Sequence, residues 1–153
     1  MARQVRRSSN AVKPRRLSER PGDLPGPLFV HGGLAPTGLS ALLFRPDGVS
    51  THLDLTLEQL QDLLQQGEPL WVRIKGLGSP GLLAQVMSML RVPDDLQPVL
   101  VETPQRTRVD AVGDVLQVVT HRLSMGASGR VISEQVGVVL IPNLVFTVQE
   151  VPL

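Results

Sequence analysis

His31, His52 and His121 are the three imidazoles in a chain of 153 residues that contains no cysteine. A zinc or metallohydrolase site places two histidines at i and i+4 on one helix face, or sets thiolates at short fixed spacings. These three are far apart in sequence, and each reads as a surface or strand-end residue. Gly76-Leu77-Gly78-Ser79-Pro80-Gly81 has the look of a phosphate-cradling turn between strand and helix. It lacks the Gly-Lys-Ser/Thr ending that supplies a charge and a metal-bound hydroxyl, so it reads as a tight turn into a helix. Asp94-Asp95 offers two hard oxygen donors. Adjacent carboxylates leave a helix in different directions, however, and capping a helix N-terminus accounts for them more simply. No nucleophile elbow and no acid/base pair emerges, so neither an enzyme nor a small-molecule substrate is expected.

Composition sets the outer bounds. The length is that of one domain, able to bury roughly two thirds of its unfolded surface. Its core must be aliphatic, because aromatic residues are only 3% of the chain. Without cysteine there is no disulfide framework and no thiolate metal site. Residues 1–20 have no apolar h-region of a secretory signal. The most apolar stretch, Gly137–Ile141 with Leu144–Phe146, is broken by Pro142-Asn143 and falls far short of the ~20 residues that span a bilayer. The chain as given is therefore expected to be soluble.

The formal net charge of +1 is unevenly placed: residues 1–20 hold seven basic residues against Glu19, leaving −5 for the remainder. Residues 1–26 show no periodicity and are rich in Ser, Pro and Arg, which predicts a basic, disordered arm. Such an arm could bind phosphates of nucleic acid or of an anionic membrane. No aromatic residue lies among the basic ones to stack on bases, which disfavours nucleic acid.

The elements that would position any site follow from pattern. Pro27–His31 is a strand candidate, and Ser40–Arg45 is another, closed by the turn Pro46-Asp47-Gly48 and followed by an alternating partner over Val49–Leu55. Thr56 and Gln59 form a capping box ahead of a helix whose apolar face is Leu57, Leu60, Leu63 and Leu64, ended by Gly67. Pro69–Lys75 is a strand. Ser79-Pro80 opens a second helix running to about Leu90, with Leu83, Val86, Met87 and Leu90 inward. Pro93-Asp94-Asp95 begins a short third helix, with Asp94 as its cap and Leu96, Val99 and Leu100 as its apolar positions. Arg108–Leu123 reads as one long strand, and Val131–Leu140 with Leu144–Gln149 as a hairpin around Pro142-Asn143.

This order predicts an α/β (α+β) domain: an α/β/α sandwich with a mixed, largely antiparallel sheet. Val115, Leu116, Val118 and Val119 are apolar at successive positions, as in an interior strand covered on both sides. Just before them, Arg106, Arg108, Asp110 and Asp114 would form a charged rim where a helix hands over to that strand.

Taken together, these segments resemble the N-terminal cytoplasmic domain of the CorA family of divalent-cation transporters. The likeness rests on Trp71-Val-Arg-Ile-Lys-Gly76 and on Gln105-Arg106-Thr107-Arg108-Val109-Asp110, which matches a Gln-Arg-Pro-Lys-Val-Glu segment. It continues in Ser133-Glu134-Gln135-Val136 and Phe146-Thr147-Val148-Gln149-Glu150. Arg16-Leu17-Ser18, Pro25-Gly26-Pro27 and Leu28-Phe29-Val30 also look like the family's lead-in. The resemblance covers most of residues 15–151, with residues 27–153 as the CorA-like body. The family-motif residues carried over are Trp71, Gly76, Gln105, Arg106, Arg108, Asp110, Glu134 and Gln135.

The resemblance implies a regulatory and assembly role on the cytoplasmic face of a membrane. Copies of the chain itself would be the partners (a homopentamer in the full-length family), and Mg2+ or Co2+ the transported ion. Two departures accompany it. The family's paired acids that hold ions between subunits fall, counting back from Gln105, on Pro98 and Val99, which cannot ligate a hard cation. Asp94, Asp95 and Glu102 lie nearby but out of register. The family also continues into a stalk helix and two transmembrane helices beyond the point where this sequence stops, so the chain is expected not to conduct ions itself. The alternative is a stand-alone binding module acting through its basic arm.

Overall fold

The computed structural model describes residues 35–102, 105–127 and 129–150. The basic arm, the strand expected at 27–31, the family-like lead-in and His31 all lie outside them. Seven strands and three helices follow in the order β1(Gly38–Arg45), β2(Gly48–His52), α1(Leu57–Gln65), β3(Leu70–Lys75), α2(Pro80–Met89), α3(Gln97–Val101), β4(Arg108–Val112), β5(Val115–Met125), β6(Val131–Ile141) and β7(Leu144–Gln149).

The strands form one sheet in the order β2-β1-β3-β7-β6-β5-β4. Among the described strands only β3 and β7 pair in parallel, the chain between them passing through α2, α3 and the antiparallel strands β4–β6. The other neighbours are antiparallel. The expected α/β class with a mixed, largely antiparallel sheet is the one observed.

Local chemistry explains most boundaries. Thr56 Oγ1 accepts from the Gln59 N–H while Gln59 Oε1 accepts from the Thr56 N–H, so the capping box ahead of α1 is complete. Pro80 occupies the first turn of α2, where its missing N–H costs nothing. The Ser79 hydroxyl makes no cap, and the Ser79 N–H donates instead to Thr37 Oγ1 at 2.8 Å. The β6–β7 turn holds Pro142 followed by Asn143 with φ 64°, the type II pattern of proline then a left-handed residue.

Three expectations are corrected. Arg108–Leu123 is not one strand, because Gly113-Asp114 form a two-residue hairpin turn with Val112 opposite Val115. Gly113 has φ 57°, and glycine first in such a loop is a hairpin signal that outweighs continuous apolarity. The third helix begins at Gln97, not at Pro93. Gln97 Nε2 donates to the Val92 carbonyl and to Asp94 Oδ1, and Leu96 N–H closes a turn onto Pro93 O, so Asp94 serves a turn and not the helix cap. The partner strand β2 ends at His52, and Asp54 takes φ 50° before α1 begins.

The core occupies one side of the sheet. Leu39, Ala41, Leu43, Leu70, Val72, Ile74, Val139, Phe146 and Val148 face Leu60, Leu63, Leu83, Val86, Met87, Leu100 and Val101 from the helices. Alternation along each strand, carried across by the register, places all three described helices on that face. α3 comes close enough to β6 that a methyl on Gly137 would lie 2.6 Å from Leu100 Cδ2. Strand β5 is therefore not covered on both sides by described residues. Val119 is buried, but Leu116 on the opposite face is 36% exposed.

Candidate functional surfaces

The opposite face of the sheet is where exposed apolar groups collect. Leu42 and Phe44 of β1, Trp71 of β3, Val145 of β7, Val138 and Leu140 of β6, and Leu116 and Val118 of β5 all point to it by alternation. Phe44 and Leu140 are exposed, while Leu42, Trp71 and Val145 are half-buried. At the turn end of this face Phe44, Pro69, Trp71, Leu140, Asn143 and Val145 help line an apolar hollow of about 510 Å³. A contiguous apolar surface of this kind marks an interaction site more often than an inert one.

Polar groups fix that face. The Trp71 indole N–H donates to Thr147 Oγ1 at 3.0 Å, and the Arg73 guanidinium lies 5.3 Å from the centre of the indole ring. Glu134, almost fully buried, pairs with Arg122 at 2.5 Å across the β5–β6 ladder. The motif residues thus have structural work. Gly76 turns with φ 80° against the backbone of Ala35 and Pro36, where no side chain fits. Gln135 Oε1 accepts from the Gln105 N–H at 2.8 Å, and Gln135 Nε2 donates to the Glu102 carbonyl at 3.3 Å. One side chain therefore ties both sides of the helix-to-strand connection to β6.

The charged rim resolves into one pair. Arg108 holds Asp110 through Nε and Nη2 of its guanidinium, at 2.6 and 2.8 Å, on the outer strand β4. The bond from Arg108 keeps the Asp110 carboxyl below the usual carboxylate range and raises Arg108 in turn. Arg106 is exposed ahead of β4, and Asp114 sits in the β4–β5 turn, so the four residues do not form one cluster.

The remaining candidates do not converge. His52 contacts Ser50 on the outer strand β2, and His121 lies 3.5 Å from Thr107 Oγ1 at the far side of the sheet. Asp94 and Asp95 are exposed in a turn, and Glu102 follows α3. Pro98 and Val99 sit within α3. Among the described residues no three His, Asp or Glu side chains gather as a metal site. Nor is any described helix long and apolar enough to cross a membrane.

Two features escaped the sequence reading. Between α1 and α2, Leu57, Gln61, Leu64, Ala84, Ser88 and Met89 help line a groove of about 790 Å³. At the far end of the β5–β6 ribbon, Leu123, Met125 and Val131 stand 67%, 72% and 65% exposed. The alternation Leu123-Ser124-Met125 was the available signal, and the register that sets Val131 opposite Met125 brings the third apolar group to the same side.

No protein-family model matches the sequence, and no curated protein matches it. Solved structures do. A CorA magnesium transporter from Methanocaldococcus jannaschii aligns over 75% of this chain at a TM-score of 0.54 and 9% identity. The full-length CmaX protein aligns over 76% at 0.56 and 19%. This chain spans 33% and 36% of those two chains. At such identities the likeness is one of fold, and the fold is CorA-like.

Proposed function

We propose that this chain is the cytoplasmic assembly domain of a CorA-type magnesium or cobalt transporter, acting through subunit packing and not conducting ions itself. The observation that carries the reading is the shared fold, which runs through three quarters of the chain and matches a protein described as a magnesium transporter. The motif residues add support, because Trp71, Gly76, Gln105 and Gln135 each hold a joint of that fold. In this reading the domain restrains a pore by how it packs on its copies, and Mg2+ or Co2+ is the cargo. Ion binding between domains is not part of the proposal. Pro98 and Val99 stand where the family's acids are expected, and neither offers an oxygen ligand from its side chain.

The test is sedimentation of the purified chain over a wide protein concentration range, with and without millimolar magnesium. Weak, concentration-dependent association that magnesium leaves unchanged is the expected result. A strict monomer throughout would overturn the assembly role, and magnesium flux through vesicles containing this chain alone would overturn the non-conducting part.

A further inference from the structure

We infer that copies of this chain associate head to tail, the β5–β6 ribbon tip of one seated in the α1–α2 groove of the next. The inference rests on the assembly role proposed above and names its contact. The ribbon runs beyond the rest of the sheet. β4 reaches only to Val119 on β5, and β7 only to Val136 on β6, so among the described residues the strand segments His121–Met125 and Val131–Gln135 pair only with each other. Five such pairs extend about 17 Å. A two-stranded ribbon is marginal in water without a third strand or a packed face. This one nonetheless displays Leu123, Met125 and Val131 on a single side, with Met125 directly opposite Val131.

The groove is a shallow, open counterpart. It has Leu57, Leu64, Ala84 and Met89 as its apolar lining among glutamines and Ser88, and none of its lining residues is charged. Charge complements as well. Helical spacing puts Glu58 and Asp62 on the solvent side of the groove along α1, and α2 carries no charge at all. The ribbon tip carries exposed Arg130 beside Val131. A partner of this chain's own sequence therefore supplies an apolar tip flanked by positive charge to an apolar groove flanked by negative charge.

The two surfaces lie at different places, the groove over the helices that follow β2 and β3 and the tip beyond β5 and β6. A contact between unlike surfaces is heterologous and generates rings or open chains, in contrast to the isologous two-fold pair. Three side chains bury far less than the ~800 Å² per partner of a stable interface. The contact is thus weak in solution, partly populated at high protein concentration and filled where copies are held together at an effective concentration of about millimolar.

The absence of cysteine allows a direct test. Met125→Cys on one copy and Ser88→Cys on another should form a mixed disulfide-linked dimer under mild oxidation. Met125→Cys with Asp47→Cys, on the distant β1–β2 turn, should not. The double variant Leu123→Asp with Met125→Asp should weaken association at least ten-fold in sedimentation while melting as the unaltered chain does. If association survives that double variant unchanged, or Met125→Cys links equally well to Asp47→Cys, the contact is wrong and the assembly role stands. If the unaltered chain shows no association and no selective cross-link, both fall.

Discussion

Gly76 and Pro36 meet backbone to backbone: a methyl group on Gly76 would lie 2.1 Å from the Pro36 carbonyl oxygen. Gly76 also holds φ 80°, a conformation that L side chains adopt only with strain. The contact locks the segment before β1 against the exit of β3, and Gly78 extends it through its N–H to the Ala35 carbonyl at 2.9 Å. Replacing Gly76 by alanine should cost about 2–4 kcal/mol, since the obstacle is main chain and cannot swing aside. Urea unfolding of Gly76→Ala checks this, and a loss below about 0.5 kcal/mol would refute the close approach.

Gly137 makes an instructive contrast. Its missing methyl would meet the end of the Leu100 side chain, which can change rotamer. Gly137→Ala should therefore destabilise by about 1–2 kcal/mol, less than Gly76→Ala, as expected for mild overpacking. The pair of variants measured under one condition gives the ranking: a Gly137→Ala cost near zero would show that α3 is not seated on β6, and a reversed order that Leu100 cannot swing aside.

Thr56 caps α1 in both directions through Gln59. Thr56→Ala should lower stability by about 1 kcal/mol, and Thr56→Ser should restore most of it. Thermal unfolding of the three proteins distinguishes a cap from a general effect of shortening the side chain.

Asp110 should titrate below an ordinary aspartate in a carbon-detected NMR experiment, and Arg108→Ala should return it to the ordinary range. The sign follows from the direction of the shift. A carboxyl lowered in the folded state stabilises the fold above its unfolded midpoint, and that contribution disappears as pH falls through the folded value. Both groups lie on an exposed outer strand, so the effect belongs to the local titration and melting at neutral pH should not change.

Much of the fold was legible in residue order because its signals are local. The α1 capping box, proline at the start of α2, the turn pairs Pro46-Asp47 and Pro142-Asn143, and the alternating strands each depend on neighbours within a few residues. The β4–β5 turn was legible too, in Gly113-Asp114, but the apolar run that follows concealed it. Asp94 was misread for a related reason: the competing partner, Gln97, is a side chain whose reach no pattern of types expresses.

What sequence by itself determined was the class of the fold, its helices and most of its strands. Only the tertiary structure decided that the described helices lie on one face of the sheet and that β5 and β6 outrun their neighbours. It also decided that Gln135 ties Glu102 to Gln105. Those facts depend on strand order and register, where residues tens of positions apart become neighbours. A residue's type records what it can bond to, whereas chain crossing decides what it meets.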